Sequence, residues 1–226
     1  MERRDVTAAL LVAAGLAGHR WAWAATASES DAAAGIRAAL ERGALAAVAQ
    51  LGRSDGFLKN PQVRIPLPGH LQDAAKLMRK LGQGKRVDEL ETAMNRAAES
   101  AVPEAKAIFV STAKAVTVDD ALKIVRGGPT SVTDYFAGKT RSPLGERFLP
   151  IVTRATEKVQ LADRYNRVAS KAVDLGLVKG DESNVQKYVT AKALDGLFFM
   201  IGEEEKKIRA DPVRTGSAIL KKVFGL

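Results

Sequence analysis

The chain has 226 residues, of which 46% are hydrophobic and 5% aromatic, and it contains no cysteine. The lack of cysteine excludes disulfides, cysteine-ligated metals, thiol nucleophiles and a lipid anchor attached through cysteine. The formal net charge is +9 at pH 7. Such a charge can attract nucleic acid, an anionic membrane surface or acidic partners. Here, however, lysine and arginine are interleaved with glutamate and aspartate, which is typical of a solvated surface.

The N-terminus is typical of a signal peptide, which we place at residues 1–24. Arg3 and Arg4 precede a short apolar run at 6–17, and Ala22-Trp23-Ala24 offers the small residues of a cleavage site. The apolar run is shorter than the roughly 20 residues that a membrane-spanning helix needs. We therefore expect export rather than insertion into the membrane.

The same segment indicates a route and a destination. The paired arginines resemble a twin-arginine export signal, although Glu2 stands where serine or threonine is usual. Cleavage after Ala27 is the alternative to cleavage after Ala24. We expect a periplasmic or secreted protein that does not span the membrane. A protein in that compartment does not meet chromosomal DNA, so we predict no nucleic-acid partner.

Apolar residues at helical spacing dominate residues 25–226 and predict a single all-α domain, a multi-helix bundle. Capping boxes begin two of the helices, at 117–120 and 183–186. An extended loop at 62–69 carries prolines at alternate positions, which disfavour helix. The predicted helices are 31–51, 71–81, 87–101, one begun or kinked by Pro103, 117–126, 131–137, 144–175, 184–209 and 215–224.

The stretch GRSDG at 52–56 matches the G-x-S-x-G pattern of the nucleophile elbow in serine hydrolases. That elbow needs a strand before the serine and a helix after it, whereas Ser54 follows a predicted helix and precedes a loop. Catalysis also needs a base, and His70 is the one histidine left after cleavage. We predict that Ser54 is not a nucleophile. We predict also that Gly52 ends the helix, where glycine takes a positive φ without strain.

No other motif supports a cofactor, a metal site or a catalytic residue. LGQGKR at 81–86 looks phosphate-like, but Arg79 and Arg86 stand where a P-loop needs glycine and serine or threonine. We interpret it as a turn between helices. A di-iron bundle needs two Glu-x-x-His pairs, which one histidine cannot supply. His70 is interpreted as a helix cap or surface group, with a ligand role as the alternative.

The stretch ALDGLFFMIGEEEKKIRADP at 193–212 places carboxylates within an apolar pattern. Glu204 falls inside one apolar stripe, and Glu205 lies at the end of a parallel stripe. At least one of them should face the core, where a carboxylate needs a cation or hydrogen-bond donors. A structural role would combine this with the i,i+4 pairs Glu203–Lys207 and Glu205–Arg209. A polar ligand site between helices is the alternative.

Five segments carry a family resemblance: VRIPLP at 63–68, DDALKIVRGG at 119–128, TDYF at 133–136, YVTAKALDGLF at 188–198 and LKKVFG at 220–225. In these segments the chain resembles a bacterial family of unknown function, DUF4197, from about residue 31 to residue 225. The resemblance implies an exported, helical, single-domain bacterial protein. It implies no catalytic or binding residues. Many similar proteins carry an N-terminal lipoprotein cysteine, which this chain lacks.

The first hypothesis is therefore a non-catalytic binding or interaction protein of the bacterial envelope. Its partner would be another envelope protein or a small ligand. The candidate binding residues are Tyr135, Tyr188, Asp195 and Glu204.

Two alternatives need different structures. A carrier of an apolar or amphiphilic ligand needs a large dry cavity, which Phe198, Phe199 and Met200 could line. A carboxylate-dependent hydrolase needs two carboxylates facing each other across a cleft. The residues that could supply them are Asp119, Asp120, Asp195 and Glu204.

Overall fold

The computed structural model describes residues 29–117, 119, 127–158, 160–174 and 185–211. The secondary structure of this part of the chain consists of helices without any β-strand, so the predicted all-α fold is confirmed. The predictions made for 1–24, 120–126, 183 and 215–224 lie outside it, as does the side chain of His70. The helices are α1 (Glu29–Leu51), α2 (Gly69–Lys80), α3 (Gly84–Ala101), a 3₁₀ turn (Val102–Ala105), α4 (Lys106–Lys114), α5 (Ser131–Lys158), α6 (Leu161–Asp174) and α7 (Val185–Ala210).

Helices α1 and α7 pack closely because small residues lie between them. Gly43 of α1 lies against α7, where an added Cβ atom would come within 3.4 Å of Ile201 Cγ2. Ile201 is buried, as are the other members of the predicted α7 stripe, Leu197 and Ile208. The apolar face of α1 is buried as well, at Ile36, Leu40, Ala44 and Ala47. The sequence pattern therefore correctly identifies the inward faces of both helices. In the part of the chain described here, no helix has the length and apolar character that crossing a membrane requires.

The apolar stripe of α3 faces inward along the whole helix, as predicted. Its five members are inaccessible to solvent: Val87, Leu90, Met94, Ala97 and Ala101. Helix α3 packs against α2, α5 and α6. Full burial of a leucine or methionine side chain contributes about 1.5–3 kcal/mol. The stripe therefore holds α3 firmly against the core.

Three phenylalanine rings join α4, α5 and α7. The ring centroids of Phe109 and Phe198 are 5.9 Å apart, and those of Phe109 and Phe136 are 6.1 Å apart. Phe136 and Phe198 complete the triangle at 6.2 Å, in an edge-on arrangement that the quadrupoles of the rings favour. This cluster accounts for much of the aromatic content of the core.

The extended segment at 62–69 is held by one buried side chain rather than by a neighbouring strand. Val63, Ile65 and Leu67 alternate inward. Asn95 of α3 accepts a hydrogen bond from Ile65 N at 2.9 Å and donates one to Ile65 O at 2.9 Å. The side-chain amide thus does what a partner strand would do for this residue, because a buried peptide group must find a partner.

Helix α5 corrects two predicted boundaries. Separate helices at 131–137 and 144–175 were expected, but one helix runs from Ser131 to Lys158. Buried residues recur every four positions across the expected gap, and Thr140 Oγ1 donates to Phe136 O at 2.6 Å. Pro143 and Pro150 lie on the exposed side. Water can therefore reach the carbonyl groups that they leave without a donor.

The expected continuation to 175 is also wrong, because the helix breaks after Lys158 and α6 begins at Leu161. Gln160 lies in the break with φ of 51°. A non-glycine residue rarely takes this left-handed conformation, and no glycine or proline marks the position in the sequence. The break turns α6 back against α2 and α3.

Two glycines near helix ends have different roles. Gly82 has φ of 76°, and Gln83 N donates to Met78 O at 2.8 Å, so the predicted turn between helices is a Schellman motif. It covers 81–83 rather than 81–86, because α3 begins at Gly84. Gly52 follows α1 as predicted, but its predicted positive φ is wrong; the left-handed residue in that loop is Asp55, with φ of 66°. Gly52 is needed because an added Cβ would lie 2.9 Å from Pro103 Cγ.

Candidate functional site

The buried carboxylate predicted in 193–212 is Glu205, which is 3% exposed. It accepts hydrogen bonds from Val132 N at 3.1 Å, Thr133 N at 2.8 Å and Thr133 Oγ1 at 2.7 Å. Arg209 Nε donates to it at 2.8 Å, and Arg209 also donates to Ser131 Oγ at 2.9 Å. The carboxylate therefore caps the start of α5. The predicted Glu205–Arg209 pair is confirmed, and this cluster has a structural role.

The other predicted pair, Glu203–Lys207, is wrong by one residue. Lys206 pairs with Glu203 at 2.7 Å, and Lys207 pairs with Glu204 at 2.6 Å. Both are i,i+3 pairs, which lie as near each other on a helix surface as i,i+4 pairs do.

Two of the candidate binding residues, Tyr188 and Asp195, share one face of α7. Tyr188 donates its hydroxyl hydrogen to Pro66 O at 3.0 Å, which tethers the extended segment. Asp195 accepts from Arg141 of α5 at 2.6 Å and from Lys192 at 3.4 Å. Burial, and to a smaller degree the charge of Asp195, raise the pKa of Tyr188 above its ordinary value. Tyr188 therefore stays a neutral hydrogen-bond donor at neutral pH.

The other two candidates lie elsewhere. Glu204 is nine positions from Asp195, which is half a turn around a helix, and its Cβ lies toward Gly43 of α1. Tyr135 lines a small recess of about 250 Å³ beside α4, with Lys139 Nζ 5.6 Å from its ring centroid. The four residues thus occupy three places, and their part in binding stays a prediction.

Three of the residues considered for catalysis, Ser54, Asp195 and Glu204, contact other residues. Ser54 Oγ accepts a hydrogen bond from Arg96 at 3.0 Å, and α1 precedes it where an elbow needs a strand. Asp195 and Glu204 lie on opposite sides of α7 and so do not face each other across a cleft. Asp120 lies outside the described residues, and Asp119 is exposed.

The three residues proposed for an apolar cavity do not share a wall. Phe198 and Met200 are buried in the core, whereas Phe199 is 41% exposed. Successive helical residues point about 100° apart, which explains the separation. Phe198 and Phe199 border a recess of about 270 Å³ whose other walls include Asp195, Glu203 and other polar residues.

A larger open groove lies where α3 passes the break between α5 and α6. Its volume is about 760 Å³, which is within the range of small-molecule sites. One wall is the exposed side of α3, and the opposite wall is the corner formed by Lys158, Gln160 and Arg164. The lining residues are Lys85, Asp88, Glu89, Thr92, Ala93, Arg96, Lys158, Gln160 and Arg164. We call this the α3–α6 groove.

Ion pairs cross the groove and border it. Arg164 of α6 pairs with Glu89 of α3 at 3.2 Å, which joins the two walls. Arg79 pairs with Asp88 at 2.9 Å. Arg96 donates to Glu99 and to Asp55, both at 2.6 Å. These contacts raise the pKa of Arg96, chiefly through its hydrogen bond to Glu99. Arg96 therefore stays positively charged where it lines the groove.

Sequence reasoning missed most of this groove. Lys85 lies in LGQGKR, which had been interpreted only as a turn. Lys158 and Arg164 come together with α3 because of the break at Gln160, and the sequence carries no signal for that break. Among the described residues, no group of three or more potential metal ligands lies together.

Fold and site together define an all-α protein with an open, positively charged groove. The family model for a protein of unknown function, DUF4197, matches residues 26–225. The chain belongs to this family, as its five segments suggested. No curated protein and no solved structure matches it.

Proposed function

We propose that this chain is an exported, non-catalytic binding protein of the bacterial envelope and that it binds through the α3–α6 groove. The observation that carries the proposal is the groove itself, an open volume of about 760 Å³ between helices anchored in the core. Rigid helical walls favour binding because a preorganised site loses little freedom when a ligand enters. The signal-peptide pattern at 1–24 supports export.

The arrangement of carboxylates supports binding over catalysis. The described carboxylates of the groove, Asp88 and Glu89, are neighbours on α3 and each pairs with an arginine. They therefore lie on one wall and do not form the facing pair that glycoside hydrolysis needs. Glu99 and Glu205 hold backbone N–H groups in the core.

Export is tested by expressing the full chain with its own N-terminus in a bacterium. We expect the protein in the envelope fraction, with a mass that corresponds to cleavage after Ala24 or Ala27. An uncleaved chain in the cytosol would contradict this part of the proposal.

Binding through the groove is tested by native mass spectrometry of the protein purified from the envelope, beside its denatured mass. We expect extra mass in the native spectrum. Thr92 is exposed and lines the groove. Replacing it with tryptophan should abolish the extra mass, because the indole ring would obstruct ligand binding in the groove. Ser100→Trp, at an exposed position of the same helix outside the groove lining, is the matched control. Retention of the extra mass by Thr92→Trp would contradict the groove as the site.

A further inference from the structure

We infer that the α3–α6 groove takes an anionic ligand of phosphate type, held between Lys85 of α3 and Lys158 at the end of α5. This inference rests on the proposed function, because it names the ligand class of the same groove. It is carried by the balance of charges along the two walls, which leaves two lysines of the groove without an ion-pair partner among the described residues.

Lys85 does not pair with Glu89, the carboxylate on its own helix that has the right spacing for an ion pair. Glu89 lies four residues later, at the spacing where a lysine and a glutamate pair on a helix. Glu89 instead pairs with Arg164 across the groove at 3.2 Å. Asp88, three residues after Lys85, pairs with Arg79. Both nearby carboxylates are therefore neutralised by arginines, and Lys85 has no ion pair within the described chain.

Lys158, on the opposite wall, also has no ion pair within the described chain. It is the last residue of α5 and is exposed. No carboxylate among the described residues pairs with it. The remaining cation that lines the groove, Arg96, pairs with Glu99 and Asp55, and Lys59 also pairs with Asp55, so this cluster is neutral. The groove therefore carries an excess of two positive charges, one on each wall, and a concave surface concentrates such a field.

The neutral lining suits the oxygen atoms of a phosphate. Thr92 and Gln160 offer a hydroxyl and an amide in the same volume. Lysine binds phosphate as a point charge, without the fixed geometry that a carboxylate–arginine fork requires. No aromatic side chain is among the described residues that line the groove. Stacking platforms for nucleic-acid bases are therefore missing from it, which favours a small phosphorylated compound or a phospholipid headgroup.

Pyrophosphate is the probe for the test, because it offers two anionic groups and no other chemistry. Binding is followed by amide chemical shifts in NMR spectra of the folded chain. We expect the shifts to concentrate on residues of α3 and around Gln160 and to weaken as salt is added. Shifts that concentrate elsewhere, or none at all, would overturn the inference.

The double variant Lys85→Glu/Lys158→Glu should weaken pyrophosphate binding roughly tenfold or more, since two attractive charges are replaced by two that repel the anion. The control is Lys106→Glu/Lys114→Glu. It makes the same change in net charge on exposed positions of α4 outside the groove lining, and it should change affinity by less than about twofold. Equal losses in both double variants would mean that only net charge matters, which would overturn the site.

Vesicles distinguish the two sources of phosphate. Co-sedimentation with phosphatidylglycerol vesicles but not with phosphatidylcholine vesicles, lost in the groove variant, would assign a lipid headgroup. Pyrophosphate binding without vesicle binding would assign a soluble compound. The inference and the proposed function can fail separately. If the envelope-purified protein retains a neutral or cationic compound that Thr92→Trp removes, the inference fails while the groove remains the binding site.

Discussion

Glu205 and Glu99 perform the same task in two regions of the molecule. Each is almost fully buried, at 3% and 4% exposure, and each accepts two backbone N–H groups from a distant segment. Glu205 holds the start of α5, and Glu99 holds Phe57 and Leu58 in the loop after α1. Each also pairs with an arginine on its own helix, Arg209 or Arg96.

The two arginines differ in their exposure and in the direction of their other contacts. Arg209 is 16% exposed and also donates inward to Ser131. Arg96 is 33% exposed, reaches outward to Ser54 and Asp55, and lines the α3–α6 groove. The first cluster is closed by its own groups. The second begins with the same buried carboxylate but opens onto a surface where positive charge is in excess.

The largest expected effect is at the closed cluster. Replacing Glu205 with alanine would leave Val132 N and Thr133 N buried without their acceptor and would remove the carboxylate that pairs with Arg209. The free energy of unfolding should fall by about 3–5 kcal/mol. Urea unfolding of the purified variant measures the loss. Glu204→Ala is the control, because its partially exposed pair with Lys207 should contribute no more than about 1 kcal/mol. Similar losses at both positions would remove the distinction between a core cap and a surface pair.

The open cluster should respond less strongly to the same change. Glu99→Ala removes the acceptor of Phe57 N and Leu58 N, but Arg96 keeps Asp55 and Ser54 as partners. We expect a loss of about 2–3 kcal/mol in the free energy of unfolding. Hydrogen exchange at Phe57 and Leu58 should be faster in the variant than in the wild type, and by a larger factor than at other amides. An effect as large as that of Glu205→Ala would mean that the outward contacts of Arg96 contribute nothing.

More of the Glu205 cluster than of the Glu99 cluster can be predicted from the sequence. A carboxylate within the apolar pattern of 193–212 indicates a buried acceptor, and Arg209 lies at helical spacing from Glu205. Local periodicity also identifies the buried faces of α1, α3 and α7. These features depend on residues near one another in the chain.

The open region depends on contacts that no local pattern contains. Glu99 lies about forty residues from the loop that it holds. The groove requires the turn at Gln160, where a residue with no special turn propensity takes a left-handed conformation. The role of Gly52 likewise comes from Pro103, a residue distant in sequence that leaves no room for a side chain. Tertiary packing decides these positions, so a single sequence does not reveal them.

Gly52→Ala tests the entry to the loop that Glu99 holds. The added Cβ would lie 2.8 Å from Val48 O, a backbone atom that cannot move aside easily, and 2.9 Å from Pro103 Cγ. We expect a loss of about 1–2 kcal/mol in the free energy of unfolding. Gly138→Ala is the matched control, since nothing lies within 4 Å of that Cβ and alanine favours helix. The two substitutions should have opposite signs, and a loss at Gly138 would contradict the steric explanation.

The smallest effect concerns Asp55, the outermost carboxylate of the open cluster. Hydrogen bonds from Lys59, and then from Arg96, hold the pKa of Asp55 below its ordinary value of 3.8. The unfolded chain therefore takes up this proton more readily than the folded chain. The stability that the carboxylate contributes is present above pH 3.8 and is lost as the pH falls through the lowered pKa.

Asp55→Asn isolates this contribution, because asparagine also tolerates the left-handed backbone found at this position. The variant should be slightly less stable than the wild type at about pH 7, and the difference should shrink on acidification below the ordinary pKa of aspartate. Urea unfolding at several pH values measures the difference. A difference that stays constant under acid conditions would show that the charge of Asp55 does not contribute to stability, which would contradict the pairing of Asp55 with Lys59 and Arg96 as its source.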